Sequence, residues 1–83
     1  KTGMPQAPVN AKVPNQKKEK YMEYPEIAGA IDELNRKFAG EGRVLIRPSG
    51  TEPKVRVMIE GKDQRMIEEE AHKLADLIQN IML

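Results

Sequence analysis

The sequence predicts an α+β fold, a small antiparallel sheet with two helices packed on one face in the order β-α-β-β-α. Three observations predict it. Two stretches carry apolar residues at helical spacing: Ile27, Ala30, Ile31, Leu34 and Phe38 in one, and Ile67, Ala71, Leu74, Ala75, Ile78 and Ile81 in the other. Between them lie two β-branched runs, 43–47 and 55–60, the second closed by Gly61. Upstream of both, residues 8–13 alternate apolar and polar, as a half-buried strand does.

Each element has its own local signals. Residues 1–7, with Gly3 and Pro5, show no periodicity and are expected to be a linker or hinge remnant, so that 8–83 form the domain. Pro8 and Pro14 bracket the first strand and mark it as a short edge strand. The polar, lysine-rich stretch 15–21 is expected to be a solvated connection. Pro25 suits a first helical turn, Arg36 and Lys37 suit a last one, and Gly40 and Gly42 end that helix. Asp63 is placed to cap the second helix, and Glu68, Glu69 and Glu70 lie near its start, where negative charge is favoured. His72 falls off the apolar stripe and is expected at the surface.

The bulk composition bounds the function. A chain of 83 residues makes one small domain, and a domain of that size buries only roughly two-thirds of its unfolded surface. It has no cysteine, hence no disulfide or thiolate metal site, which agrees with a reducing cytoplasm. His72 is the one histidine, which excludes a multi-histidine metal centre. Net charge is +1 with 33% charged residues of both signs, unlike the cationic excess of a general nucleic-acid binder. No apolar run is long enough for a membrane span, and no signal peptide is expected. The chain begins at Lys1, and it is expected to be a piece of a longer protein.

The connection between the two β-branched runs is the informative segment. From Pro48 to Lys54 it has seven residues, whereas hairpin loops usually have roughly two to five. Ser49, Gly50 and Thr51 offer two hydroxyls and three successive N–H groups. With Gly50 free to take a positive φ, such a run can form an anion-binding nest. Pro48 and Pro53 stiffen both ends. Strand alternation adds two arginines. Val44 and Ile46 share one face of the first run, Val55, Val57 and Ile59 one face of the second, and these faces suit the helices. Arg47 and Arg56 then lie together on the opposite, open face, with Leu45 and Met58 beside them.

Two guanidinium groups, hydroxyls and a nest of amides fit a phosphate, which guanidinium matches with two parallel hydrogen bonds. The residues alone equally allow Arg47 and Arg56 to pair with Glu52 and Glu60 as ordinary surface ion pairs. Apolar groups on an open face imply a further layer, or contact with the rest of a larger protein.

The run Gly42-Arg-Val-Leu-Ile-Arg-Pro-Ser-Gly-Thr-Glu-Pro-Lys-Val-Arg-Val-Met-Ile-Glu-Gly61 resembles the C-terminal signature of the phosphoglucosamine mutases, a branch of the α-D-phosphohexomutase superfamily. Met4-Pro-Gln-Ala-Pro-Val-Asn10 resembles the segment leading out of that family's third domain. The resemblance implies a hinged last domain of the TATA-binding-protein-like type that closes over the active site and grips substrate phosphate. It assigns phosphate binding to Arg47, Ser49, Gly50, Thr51 and Arg56, and no role to Glu52. Related phosphomannomutases and phosphoglucomutases typically have Asn where this chain has Gly50.

The implied reaction interconverts glucosamine 6-phosphate and glucosamine 1-phosphate through a phosphoserine and a bisphosphate intermediate. The implied cofactor is magnesium, held by residues outside this chain. No catalytic or metal residue is expected here, and the chain alone is expected to be inactive. The implied partners are a phosphosugar and the other domains of the same polypeptide across the open sheet face, with neither nucleic acid nor membrane. Two other readings compete. A single-strand nucleic-acid module would use Arg43, Arg47, Lys54 and Arg56, but Tyr21, Tyr24 and Phe38 fall off that face and leave it without stacking platforms. A non-enzymatic interaction module would use the open face for contacts alone.

Overall fold

The computed structural model describes residues 5–40 and 42–83. It contains β1 (Gln6–Lys12), a 3₁₀ helix (Lys18–Glu23), α1 (Pro25–Lys37), β2 (Arg43–Pro48), β3 (Lys54–Glu60) and α2 (Gln64–Met82). The three strands form one antiparallel sheet in the order β1-β3-β2, with both main helices on one face, as the α+β reading expects. α2 packs across β1 and β3, and α1 packs against β2 and α2.

β3 is central, and its alternation builds the core. Val55, Val57 and Ile59 are all but fully buried, and they meet Ile67, Ala71, Leu74 and Ile78 of α2. Ala7 and Ala11 of β1 and Ile27 and Leu34 of α1 complete this layer. Among the described residues no buried side-chain nitrogen or oxygen lacks a hydrogen-bond partner. Pro8 sits on an edge strand, where its missing N–H costs no ladder bond on the inner side.

Helix boundaries follow their local chemistry. Pro25 occupies the first turn of α1, and Gly40, just past the end, takes φ 79°, the left-handed conformation that stops a helix. The Asp63 carboxylate accepts the Met66 N–H at 3.1 Å and caps α2. Gly42 is required for a steric reason, since a Cβ there would run into the carbonyl of Glu60. His72 is exposed.

Three expectations need correction. Residues 15–21 are a solvated connection only in part: Asn15, Gln16, Lys17, Glu19 and Lys20 are exposed, but Lys18 is buried and Tyr21 half-buried. The 3₁₀ helix starts inside them, and Lys18 is only 5% exposed because its ammonium reaches the Glu52 carbonyl beneath the hairpin loop. β1 starts at Gln6, since Gln6 and Ala7 have partners Glu60 and Ile59 on β3. Val13, expected as its last residue, has left the strand and bonds Pro53 instead. At the end of α2, Met82 is fully buried and Ile81 only half-buried, because the stripe continues from Ile78 at a spacing of four. Of the expected linker at 1–7, residues 1–4 lie outside the described residues.

Asp63→Ala is expected to lower unfolding stability by about 1 kcal/mol, the usual worth of such a cap. Gly42→Ala is expected to cost about 1–3 kcal/mol through the clash with the β3 backbone. Urea denaturation followed by far-UV circular dichroism measures both.

Candidate anion-binding site

The open face of the sheet is organised in rows set by the strand register. One row runs Asn10–Arg56–Arg47 across β1, β3 and β2. The next, one pleat further along the same face, runs Pro8–Met58–Leu45, and the one beyond it Gln6–Glu60–Arg43. Lys12 faces Lys54 at the loop end of the sheet. A groove of about 410 Å³ crosses this face, lined by Pro8, Asn10, Leu45, Arg47, Arg56 and Met58 among others.

Arg47 and Arg56 are therefore direct cross-strand partners. Both are exposed, and among the described residues neither guanidinium forms an ion pair or hydrogen bond. The alternative in which Glu52 and Glu60 neutralise them is not what the structure shows. Glu60 bonds Arg43 Nε at 3.0 Å and Gln6 Nε2 at 2.8 Å. Glu52 pairs with Lys54 at 2.9 Å. Like charges directly opposite on a sheet are destabilising, so this pair presents unneutralised positive charge to whatever enters the groove.

The loop is shaped differently from the expected nest. Gly50 does not take a positive φ; Gly40 is the only described residue that does. The Ser49 N–H is committed to the Lys54 carbonyl at 2.9 Å, and Lys54 N–H donates to the Glu52 carbonyl at 2.8 Å. The Ser49 hydroxyl oxygen accepts the Glu52 N–H at 3.2 Å. This side-chain turn bends the chain without a left-handed residue. Gly50 and Thr51 are left exposed, and their N–H groups have no acceptor among the described residues. The site thus offers two guanidinium groups, two amides and the O–H donors of Ser49 and Thr51. All five expected residues lie at this one end of the hairpin.

Sequence reasoning missed three contributors. Asn10 completes the arginine row from β1, and extending strand alternation to that strand would have found it. Lys18 and Tyr21 bond the hairpin at Glu52 and Ile46 from the preceding connection. Only tertiary structure reveals them. Among the described residues there is no group of three or more His, Cys, Asp or Glu placed to hold a metal ion.

The chain matches the family described as phosphoglucomutase/phosphomannomutase, C-terminal domain, over residues 9–77, and it belongs to that family. Within it, the chain is 60% identical over 76 residues to the phosphoglucosamine mutase of Clostridium kluyveri, covering 92% of this chain and 17% of that protein. It is 59% identical over 75 residues to the phosphoglucosamine mutase of Clostridioides difficile, covering 90% of this chain and 17% of that protein. The fold agrees with a solved Aspergillus fumigatus N-acetylphosphoglucosamine mutase in complex with GlcNAc-6P and magnesium, with TM-score 0.78, 25% identity, and coverage of 99% of this chain and 16% of that one. An N-acetylglucosamine-phosphate mutase of the alpha-D-phosphohexomutase superfamily, in its substrate complex, gives TM-score 0.74 at 30% identity over 93% of this chain and 16% of that one. The chain thus spans 17% of the length of the mutases it matches in sequence.

The Lys54 ammonium, through its hydrogen bond and its charge, holds the Glu52 carboxyl below its ordinary value of 4.5, with smaller help from the charges of Arg56 and Lys18. A depressed folded value means the pair stabilises the loop above the unfolded pKa and is lost as pH falls through the folded one. Side-chain carboxyl NMR is expected to show a Glu52 midpoint below 4.5, moving up toward that value in Lys54→Met.

Proposed function

We propose that this chain is the substrate-phosphate-binding domain of a phosphoglucosamine mutase. The observation that carries the reading is the cross-strand pair Arg47–Arg56, without carboxylate partners among the described residues, beside the amides of Gly50 and Thr51, unbonded among the same residues. Such a constellation binds a dianion through charge-assisted hydrogen bonds, which are roughly twice as strong as neutral ones. The binding domain would begin with β1, since Gln6 and Ala7 pair with β3, and the segment before it would be the hinge.

The proposed enzyme interconverts glucosamine 6-phosphate and glucosamine 1-phosphate. A phosphoserine gives its phosphoryl group to the substrate, and the resulting bisphosphate turns and returns the other one. Arg47, Ser49, Gly50, Thr51 and Arg56 would hold whichever phosphate is not reacting, in both orientations. Binding energy at that remote phosphate positions the reacting end. Magnesium, held elsewhere in the polypeptide, would supply Lewis-acid charge stabilisation. The serine, metal and sugar-recognition residues would all lie on other domains, so the chain by itself would have no mutase activity. The open face, with Leu45 39% exposed beside the arginine row, would meet those domains on closure. A cytoplasmic setting suits a phosphosugar substrate.

The Gly50-Thr51-Glu52-Pro53 run and the similarity to phosphoglucosamine mutases favour the glucosamine branch over phosphomannomutase or phosphoglucomutase. In the full-length enzyme, Arg47→Ala is expected to raise KM and lower kcat for glucosamine 6-phosphate, with kcat/KM falling roughly 10- to 100-fold, the worth of a hydrogen bond to a charged group. Folding should be intact, because the Arg47 side chain is exposed and forms no bond among the described residues. Unchanged kinetics would favour a face used for contacts alone.

A further inference from the structure

The hairpin that carries the arginines is held from outside by the segment 13–21. Three hydrogen bonds make this strap. The Val13 N–H donates to the Pro53 carbonyl at 3.1 Å. Lys18 Nζ donates to the Glu52 carbonyl at 3.1 Å, and the Tyr21 hydroxyl to the Ile46 carbonyl at 3.1 Å. Two of the three land on adjacent loop residues.

Lys18 is the unusual member. It is 5% exposed, and its ammonium forms no ion pair among the described residues. Burying an ammonium is costly unless it is well bonded, and an apolar side chain of equal length would fill the space without that cost. What the charge adds is a grip on one peptide. The Glu52 carbonyl accepts from Lys18 and from Lys54 N–H, while the Glu52 N–H donates to the Ser49 hydroxyl. Gly50 and Thr51 lie between those anchor points.

We infer that Lys18 is a positioning residue of the phosphate site. Resting on the phosphate reading above, it fixes the Glu52 backbone, and through it the Ser49 hydroxyl and the Gly50 and Thr51 amides. Its ammonium does not touch the anion. It adds a fixed positive charge beside the loop.

The test is titration of the ¹⁵N-labelled chain with inorganic phosphate, following the Gly50 and Thr51 amides. Lys18→Met keeps the stem and removes the donor; it is expected to weaken phosphate about tenfold, the worth of one charge-assisted bond. Lys18→Arg, which keeps charge and donors, should stay within about twofold. Tyr21→Phe removes a bond to β2 rather than to the loop. It should lower Tm while leaving affinity within about twofold. A folded Lys18→Met chain with unaltered affinity overturns the inference. So does Tyr21→Phe weakening phosphate as much as Lys18→Met, which would make the strap merely structural. If Lys18→Met does not fold, the unmutated chain decides. Its Lys18 ¹⁵Nζ signal should move on saturation with phosphate, and a signal that stays put overturns the inference. The phosphate reading fails separately, if Arg47→Ala binds phosphate as the unmutated chain does.

Discussion

The alternation of β3 is the constraint on which the rest of the molecule depends. Val55, Val57 and Ile59 point into the helix layer, and that commits Arg56, Met58 and Glu60 to the open face. A slip of one residue would exchange the two sets, placing a guanidinium under α2. Among the described residues β3 is also the only strand paired on both sides, so its register fixes where β1 and β2 lie. The arginine pair is thus specified by the same apolar contacts that make the core. Loss of packing at Val57 or Ile59 would be felt at the site without any site residue being touched.

The open face is graded along the strands, and the grading has an electrostatic logic. Far from the loop, Glu60 neutralises Arg43 and bonds Gln6. In the middle stand Pro8, Met58 and Leu45. Nearest the loop stand Arg47 and Arg56, without a carboxylate partner among the described residues. Glu52, the other acid on the hairpin, is occupied by Lys54. Both carboxylates of the hairpin are thus bonded to cations other than Arg47 and Arg56. In a small domain with a thin stability margin, an unquenched like-charge pair is a cost. An incoming dianion would convert that cost into binding.

How much of this was legible in the sequence depends on the range of the interaction concerned. Arg47 and Arg56 were legible because strand alternation is strict and local, and the apolar residues between them left one parity open. The helices were legible from their stripes, and Asp63 from its position before the second. The loop was only half legible. Ser49, Gly50 and Thr51 could be identified, but the turn could be made by a left-handed glycine or by a serine side chain, and composition does not choose. The structure uses the serine, which engages the Ser49 N–H and leaves two amides rather than three. Lys18 was not legible at all. A lysine among lysines reads as solvated, and only the placement of the loop carbonyl above it reverses that. The start of β1 at Gln6 depends likewise on how far β3 extends opposite it.

These differences point the same way. The residues that present charge sit on the hairpin and are set by period-two geometry. The residues that hold the hairpin's shape come from segments distant in sequence: Val13, Lys18 and Tyr21 in the connection after β1. On the proposed reading, a loop shaped only by its ligand would bear its ordering entropy at every binding event. Bonds to Ile46, Glu52 and Pro53 place that ordering in the folding of the domain instead. The proposed site is therefore better described as a charged hairpin preset by a strap than as a flexible glycine loop that closes on its ligand.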